Sequence, residues 1–258
     1  TAYEISLGLV GSEMCIRDRS YYKDLETANA DTVGKVVNKY SKPNFKWYGV
    51  YPFNEQNGGD AVAEVFWIPF LSAWSNVQRR QDVFLAGTSE IDNTDWVISM
   101  GHFMGLLDGN WLGLPASQKI AFLRYADFNC IEDGKIVRSS FFCDLIGFIN
   151  QLGINPLPPQ TGASFIYPGP RTHDGLLFEP QDQRESQKTL ELVNRMIGDL
   201  TDLNKSENDC PPPDLLTKTW HDDMIWYGPA GIGASYTIPR YQEQHQYPFR
   251  SCLIYTSD

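Results

Sequence analysis

A short aromatic motif occurs twice in this chain, at a fixed spacing. Trp47-Tyr48-Gly49 is followed 179 positions later by Trp226-Tyr227-Gly228. Three further identities lie at the same offset without a gap: Glu64 and Glu243, Pro69 and Pro248, Phe70 and Phe249. Six identities within 24 residues, mostly of rarely used residue types, exceed what chance alignment gives. The sequence therefore predicts two related units in tandem.

Length and charge limit what the chain can be. Its 258 residues, 42% of them apolar and 13% aromatic, are enough for packed cores in two domains of ordinary size. A net charge of -11 disfavours nucleic acid and anionic membranes as partners, because both attract basic surfaces. The sequence also has no apolar run of about 18 residues, which a membrane-spanning helix would need.

The two ends of the chain look foreign to the rest. Residues 1–19 and 251–258 resemble the translated adapter sequence found at the ends of fragmentary environmental reading frames, so we expect non-native tails that pack poorly. A secretory signal is disfavoured because Gly8 and Gly11 interrupt the apolar run.

Cysteine usage bears on the compartment. Outside these tails the cysteines are Cys130, Cys143 and Cys210, without a Cys-x-x-Cys pair or a histidine at ligand spacing. This odd, scattered set favours a reducing, cytoplasmic location and argues against a structural metal.

Apolar residues at helical spacing predict two helices near the start. Six of them share one face of the first helix, which is expected to end at Pro43: Leu25, Ala28, Val33, Val36, Val37 and Tyr40. The second helix is predicted from Val62 to Val77, with a kink at Pro69. Residues 47–49 are expected to form a turn between them, and Arg79-Arg80 a solvated helix end.

From Asp82 onward the apolar period shortens to two, which predicts four strands over residues 82–91, 95–104, 118–131 and 135–144. Glu132-Asp133-Gly134-Lys135 between the last two is a strong hairpin signal, and Leu145 to Leu152 predicts a short closing helix. Helices followed by consecutive antiparallel strands indicate an α+β fold, in which a curved, cone-shaped sheet packs on the N-terminal helices and leaves a pocket.

These patterns divide the chain into segments. We expect a complete unit over 20–157, a stiff Pro- and Gly-rich connector over 158–185, and a second unit over 186–250. The second unit's counterpart of Asp144 would fall near position 323, so this unit is expected to be incomplete, without its sheet and without a complete active site. Its apolar residues would then stay largely exposed: Leu190, Val193, Ile197, Trp226 and Phe249.

Several ordered motifs resemble those of SnoaL-like polyketide cyclases. They are Gly101-His102-Phe103-Met104-Gly105, Leu112-Gly113-Leu114-Pro115, Asp133-Gly134-Lys135-Ile136, and Asp144 with Gln151-Leu152-Gly153, and in the second unit the run from Trp226 to Gly233. The resemblance implies the nuclear-transport-factor-two-like cone fold, which ketosteroid isomerase and scytalone dehydratase share. It covers residues 21–157 fully and 186–250 in part.

The resemblance implies a general acid and base at the aspartate that opens the Asp-x-x-x-x-x-x-Gln-Leu-Gly segment, which is Asp144 here. Asp144 shares a predicted strand face with Phe142, and apolar neighbours would favour proton transfer near neutral pH. The alternative is that Asp144 only caps the following helix. The family usually has Trp at the position of Ser140, so the substrate site of this chain is expected to differ from that of the family.

His102 is the second catalytic candidate, because an imidazole facing Asp144 could hold a substrate carbonyl or share its proton. A hydrogen-bonded structural histidine is an equal alternative. Five aromatic residues are candidates for substrate binding, with a core position as the alternative: Trp47, Tyr48, Phe66, Trp67 and Phe142.

The second unit offers fewer chemical signals. Its run Gly228-x-x-Gly231-x-Gly233 lacks the context of a nucleotide-binding loop, and adjacent His221-Asp222-Asp223 point to opposite strand faces, which disfavours a metal. Four residues are candidates for a second pocket: His221, Trp226, Tyr227 and His245.

The predicted function is cofactor-independent acid–base chemistry on a small carbonyl or polyketide-like compound, such as intramolecular aldol cyclisation or isomerisation. No metal and no cofactor is expected. Two alternatives stay open: a non-catalytic binding module for an apolar small molecule, and an interaction protein that forms a homodimer through its sheet. The fold alone does not choose between them.

Overall fold

The structure is a computed structural model, and it describes residues 19–163, 169–170, 172–205 and 213–253. The chain forms two compact units, unit 1 (Thr1–Ile154 and Pro168–Pro180) and unit 2 (Asn155–Tyr167 and Gln181–Asp258). The predicted behaviour of the two tails concerns residues that lie almost wholly outside the described part.

Unit 1 begins with helices. Helix α1 covers residues 19–27 and α2 Val33–Tyr40, so the single first helix of the prediction is divided. The division occurs at Asn29, whose Oδ1 accepts hydrogen bonds from the backbone N–H groups of Asp31 and Thr32 at 3.0 and 3.1 Å. Such local side-chain bonds compete with helix continuation.

Helix α3 is continuous but changes its winding. It consists of an α-helical turn Gly59–Val62, a π-helical turn Ala63–Trp67 and an α-helical segment Ile68–Ala73. In the π turn the N–H of Ile68 bonds to the carbonyl of Ala63, five residues earlier. Pro69 comes next and has no N–H, so it cannot make the backbone hydrogen bond of a regular helix. The helix accommodates this residue with a widened π-helical turn at the position where a kink was predicted.

The six-stranded sheet of unit 1 has the order β2-β1-β6-β5-β4-β3. Its strands are β1 Ser41–Gly49, β2 Glu55–Asn57, β3 Trp74–Thr88, β4 Asp95–Leu107, β5 Ile120–Glu132 and β6 Lys135–Cys143. All neighbours are antiparallel except β1 and β6, which are parallel. Helix α4, Leu145–Gln151, follows β6, and the predicted α+β fold is confirmed.

Two strand predictions were wrong. The motif Trp47-Tyr48-Gly49 ends β1 and is not a turn, while β3 starts at Trp74 and not at Asp82. The predicted second helix therefore ends four residues early, and Arg79 and Arg80 lie on a strand. Val77 continues the helical spacing of Phe70 and Ala73, which made strand look like helix.

Burial alternates along the strands and defines two faces. On β5, Leu123, Tyr125 and Asp127 are buried, while Phe122 and Arg124 between them are only half-buried. We call the buried side, which packs on the helices through residues such as Phe66 and Phe70, the inner face, and the other the outer face. Because successive side chains point to opposite sides of a sheet, this parity assigns each strand residue to a face.

Residues predicted as connector belong in part to unit 1. Phe84 of β3 exchanges backbone hydrogen bonds with the segment after the sheet: its N–H donates to Gly175 at 2.8 Å, and its carbonyl accepts from Leu177 at 2.7 Å. Phe178 then packs on the Phe84 ring at 5.0 Å. This pairing covers part of the exposed edge of β3, whose backbone N–H and C=O groups would otherwise lack partners in the sheet.

Unit 2 contains α5 Gln183–Lys205, a 3-10 turn Pro213–Leu215, a hairpin of β7 Ile225–Trp226 and β8 Ser235–Tyr236, and α6. Helix α6 again has three parts: Ile238–Tyr241, a π-helical turn Gln242–Gln246 and Tyr247–Leu253. Pro248 follows this π turn as Pro69 follows the first. Two small strands are the whole sheet of unit 2 within the described ranges.

The spacing of 179 residues holds for backbone details that sequence identity does not reveal. Trp47 pairs with Gln56 in unit 1, and Trp226 pairs with Ser235 in unit 2. The residue before each helix has the same unusual backbone conformation, with a positive φ and an extended ψ: Gly58 has φ 84 and ψ 154, and Thr237 has φ 70 and ψ 152. These matches support the proposal that the two units are tandem copies.

The two units differ in how their matching side chains are covered. Phe70 of unit 1 is fully buried, whereas Phe249 at the equivalent position is 46% exposed. Ile197 and Val193 of α5 are exposed as well, while Leu190 and Trp226 are half-buried and so less exposed than expected. None of the helices in the described ranges is long and apolar enough to cross a membrane.

The first prediction concerns the glycine that opens the Gly101-x-His-x-Gly motif. A Cβ at Gly101 would lie 1.9 Å from the backbone oxygen of Arg80, so the bulged strand β3 would have to move. We expect Gly101→Ala to lower the free energy of unfolding by about 1–3 kcal/mol or more, measured by urea denaturation. Gly87→Ala on the same sheet, where a Cβ meets nothing within 4 Å, is the control and should leave it unchanged or slightly raised. Equal effects of both changes would contradict this explanation.

The second prediction concerns the relative stability of the units. We expect backbone amides of β7, β8 and α6 to exchange hydrogen faster than those of β5 and β6, because a two-stranded sheet protects few amides. Hydrogen–deuterium exchange with mass spectrometry measures both sets in one sample. Protection in residues 186–250 as strong as in residues 118–144 would show that unit 2 folds stably without a larger sheet.

Candidate functional site

Asp144 lies at the end of β6 and caps helix α4. Its Oδ1 accepts a hydrogen bond from the N–H of Gly147 at 2.8 Å, and its Oδ2 accepts one from Nε of Arg124 at 2.9 Å. Arg124 is an outer-face residue of β5, and the last β5–β6 pair, Tyr125 with Cys143, carries this parity to Asp144. The carboxylate therefore lies on the outer side of the sheet, where both of its oxygens accept hydrogen bonds.

His102 also lies on the outer face, where it pairs with Arg80 of β3 and Arg124 of β5 in register. Its Nδ1 is 3.8 Å from Oδ2 of Asp82, and its ring packs on Phe122 at 5.9 Å. Neither Asp144 nor His102 lines the cavity described below, and their opening into one cavity stays a prediction. The shared strand face was identified correctly, but it is the outer one.

Two further residues of the Asp144 motif, Gln151 and Gly153, also hold helix α4 in place. The amide of Gln151 accepts a hydrogen bond from the N–H of Phe122 and donates one to its carbonyl, both at 2.8 Å. This side chain thus continues the ladder of β5 where β6 has ended, and Gly153 with φ 80 ends the helix. In this chain the motif fastens α4 to the sheet.

The five aromatic candidates divide between three places. Trp47 and Phe66 are core residues whose ring centroids lie 6.1 Å apart, and Trp67 lines the cavity described next. Tyr48 and Phe142 lie on the outer face and are 37% and 52% exposed, and their role in substrate binding stays a prediction. Their strand parity opposite to Trp47 and Phe141 accounts for this placement.

A cavity of about 350 Å³ lies between the α1–α2 turn, the end of α3 and the start of β3. Apolar and aromatic side chains form much of its wall: Leu25, Trp67, Leu71, Trp74, Val77 and Phe103. Three charged residues also line the cavity: Glu26 and Asp108, which are exposed, and Arg79, which is buried. This size suits a small organic molecule.

Arg79 is the most unusual residue of the cavity. It is only 8% exposed, and neither Nη1 nor Nη2 has a hydrogen-bond partner among the described residues. The guanidinium carbon lies over the rings of Tyr22, Tyr125 and Phe103, at 4.3, 4.6 and 4.7 Å from their centroids. The prediction of a solvated helix end was wrong, because Arg79 belongs to the inner face of β3.

Asp127 is buried near this cation. Its Oδ2 accepts hydrogen bonds from the hydroxyl of Tyr22 at 3.1 Å and from Nδ2 of Asn129 at 3.3 Å. Asn129 also donates to the Tyr22 hydroxyl at 2.9 Å, and Ser139 donates to Asn129. Burial raises the pKa of Asp127, against the positive charge of Arg79 and these hydrogen bonds, which lower it.

A second hydrogen-bonded polar group contacts Arg79 through the ring of Tyr125. Nε2 of Gln81 donates to Oγ of Ser99 at 2.9 Å, and Ser99 lies 3.0 Å from the hydroxyl of Tyr125. Burial raises the pKa of Tyr125, so this hydroxyl stays protonated at neutral pH. The inner face therefore holds two hydrogen-bonded groups around one guanidinium.

Sequence reasoning missed this inner polar group. The signal was present: Leu123, Tyr125, Asp127 and Asn129 occupy every second position of β5, so a polar pair continues the inner apolar stripe. Buried polar residues on a core-facing stripe are uncommon and point to a site.

In unit 2, two of the four candidates meet. The rings of Trp226 and His245 stack at 4.2 Å with an interplanar angle of 20°, and Tyr241 lies 5.3 Å from His245. Burial lowers the pKa of His245, so the imidazole is neutral at pH 7. His221 is exposed, Tyr227 is half-buried, and a separate cavity of about 320 Å³ in this unit is lined by none of the four.

Metal-ligating residues are dispersed in the part of the chain that the structure describes, where no three His, Cys, Asp or Glu side chains gather as a metal site would need. Cys130 and Cys143 are free, and burial raises the pKa of the Cys143 thiol to about 12. This thiol is therefore not a nucleophile at neutral pH.

Several solved structures are similar to about half of this chain. A Jannaschia protein described as a SnoaL-like polyketide cyclase has 17% identity, with 49% of this chain and 80% of that chain covered, at a TM-score of 0.36. For a Xanthomonas campestris protein described as a polyketide cyclase these values are 15%, 55%, 98% and 0.43. For a nuclear-transport-factor-two-like protein of Burkholderia thailandensis they are 17%, 52%, 95% and 0.38. No protein-family model and no curated protein matches the chain.

The third prediction tests the structural role of Asp144. Asp144→Ala removes a helix cap and the partner of Arg124, so we expect the free energy of unfolding to fall by about 1–3 kcal/mol. Asp144→Asn should cost less, since its amide oxygen can still accept from Gly147. Asp31→Ala, at an exposed turn, is the control and should change it by less than about 0.5 kcal/mol. Urea denaturation measures all three, and a negligible loss in Asp144→Ala would refute the capping role.

Proposed function

We propose that unit 1 is a cofactor-independent acid–base enzyme that acts on a small carbonyl compound bound in its cavity. One observation carries the proposal: a buried guanidinium with unpaired terminal nitrogens lines the cavity beside a buried carboxylate whose pKa is raised. Strongly perturbed buried charges of this kind cluster at functional sites.

Arg79 supplies the electrostatic part of the reaction. When a proton leaves the carbon beside a carbonyl group, negative charge develops on the carbonyl oxygen as an enolate. A fixed cation in a site that excludes water stabilises this charge far more than water would, because it needs no reorganisation. The three rings around Arg79 keep the guanidinium in place.

Asp127 supplies the proton transfer. The Tyr22 hydroxyl passes its proton to the Asp127 carboxylate and takes up the proton of the substrate, which leaves the electron pair in the enolate. In isomerisation the proton then returns by the same route to another carbon of the same molecule. In an aldol closure the enolate carbon attacks a second carbonyl, and Asp127 returns the proton to the resulting alkoxide. A carboxylate with a raised pKa suits this task near neutral pH. Tyr22 is hydrogen-bonded to Asp127 and lies on the helix that forms one cavity wall, so it can relay the proton.

In this proposal Asp127 takes the role that the family resemblance implied for Asp144. The Asp144 carboxylate already accepts from Gly147 and Arg124 on the outer side of the sheet. His102 would then be a structural residue of the outer face, close to Asp82, and would take no part in the reaction. A homodimer through the exposed residues of this face, such as Phe142, remains part of the proposal.

A binding module without catalysis is the second candidate. It is favoured by the aromatic walls and by the position of Asp127, which does not itself line the cavity and is held by Tyr22 and Asn129. In that case Arg79 and the rings would bind a small molecule that leaves unchanged.

The fourth prediction separates these functions. With a panel of small ketones and 1,3-dicarbonyl compounds in D₂O, we expect the protein to catalyse exchange of protons beside the carbonyl, observed by NMR. Asp127→Asn should slow this exchange about 100-fold or more, the usual contribution of a general base. The rate should rise with pH through the raised pKa of Asp127, because only the carboxylate accepts a proton.

Asp144→Asn is the matched control and should retain the exchange activity once its folding is verified. Loss of exchange in Asp144→Asn with full activity in Asp127→Asn would move catalysis back to Asp144. Binding of compounds without exchange in the wild-type protein would favour the binding module.

A further inference from the structure

The terminal nitrogens Nη1 and Nη2 of Arg79 have no hydrogen-bond partner among the described residues, although Tyr125 and Asp127 stabilise the charge of the guanidinium. An unpaired buried donor is costly, and the cost is greater when the group is charged. The rings of Tyr22, Tyr125 and Phe103 offset part of the charge, but ring faces are weak acceptors for N–H groups. Oδ2 of Asp127 already accepts from Tyr22 and Asn129, and neither Nη atom of Arg79 is bonded to it.

The shape of the free group selects its partner. The two terminal nitrogens of a guanidinium present parallel N–H groups, a fork that matches the two oxygens of one carboxylate. A ketone oxygen satisfies only one of the two nitrogens and brings no charge. A carboxylate therefore compensates Arg79 most completely.

The surrounding charges limit how much negative charge the ligand carries. Glu26 and Asp108 line the same cavity, and the chain has a net charge of -11, so a phosphate dianion or a larger polyanion would be repelled. Trp67, Trp74 and Phe103 line it as well, and they favour a ring or a short apolar chain. Together these features describe a small monoanion with an apolar body.

We infer that the cavity of unit 1 binds a small organic monocarboxylate whose two carboxylate oxygens pair with Nη1 and Nη2 of Arg79. The inference rests on the proposed function to the extent that the same molecule carries the reacting carbonyl group, which makes the substrate class the short oxo acids. Recognition by the carboxylate holds whether or not a reaction follows.

Three compounds that share a benzyl group distinguish the contribution of a carboxylate to binding from that of a ketone. 3-Phenylpropanoate has only the carboxylate, phenylacetone has only the ketone, and phenylpyruvate has both. By isothermal titration calorimetry on the full chain, we expect both acids to bind about tenfold or more tightly than phenylacetone. Arg79→Met should remove this difference, and Arg79→Lys should retain only part of it, because an ammonium lacks the fork. Added salt should weaken binding of the acids and leave that of the ketone nearly unchanged.

Arg80→Met is the matched control. Arg80 is the exposed neighbour on the same strand, bonded to Gln78, so its loss should leave the affinity for the acids unchanged. Asp127→Asn should raise the affinity for the acids several-fold, because it removes a negative charge near Arg79. A purely structural Arg79 would destabilise the fold on substitution without changing the order of affinities.

The outcomes separate the two proposals. Tight binding of the acids without exchange of protons overturns the proposed reaction and keeps the carboxylate inference. Exchange in ketones, with equal affinity for phenylacetone and 3-phenylpropanoate, overturns the carboxylate inference and keeps the proposed reaction. Absence of acid binding in the wild-type protein overturns the inference even if Arg79→Met does not fold.

Discussion

The register of β5 between β4 and β6 determines which side of the sheet each polar residue of unit 1 faces. Side chains alternate along a strand, so the pairing that buries Tyr125 and Asp127 also turns Arg124 to the outer face. A shift by one residue would exchange the two sets and bury Arg124 in place of the aromatic stripe. The buried carboxylate and the outer ion pair of Arg124 with Asp144 are therefore two consequences of one register.

The inner polar group also couples the first helix to the sheet. Tyr22 of α1 donates to Asp127, and its ring lies 4.3 Å from the Arg79 guanidinium, so one residue contacts both charges. In a buried pair, removing either partner leaves the other uncompensated, which is costly. Because Leu25 on the same helix lines the cavity, the charge arrangement and the cavity wall depend on each other.

Much of the fold could be predicted from sequence, because alternation and turn residues are local signals. Strands β4 and β5, helix α4 and the hairpin were found, and Asp133 and Gly134 have the positive φ values of 51 and 68 that such a hairpin requires. The inner face could not be identified, because both faces carry large aromatic residues, such as Phe141 and Phe142. Strand β1 was missed because Pro43 resembles a helix end, and it lies where the β1–β6 register shifts.

The site could not be predicted because motif position and chemical environment disagree. The residues that carry the resemblance, Asp144 and Gln151, have hydrogen-bond partners that fasten α4 to β5. Their spacing therefore reflects how the helix after β6 attaches to the sheet. Both oxygens of the Asp144 carboxylate are occupied, one by a backbone N–H and the other by a guanidinium. At Asp127, burial outweighs the effect of Arg79 and the hydrogen-bond partners and raises the pKa of the carboxyl group. The raised pKa therefore belongs to Asp127, an inner-face residue that lies outside every motif of the sequence.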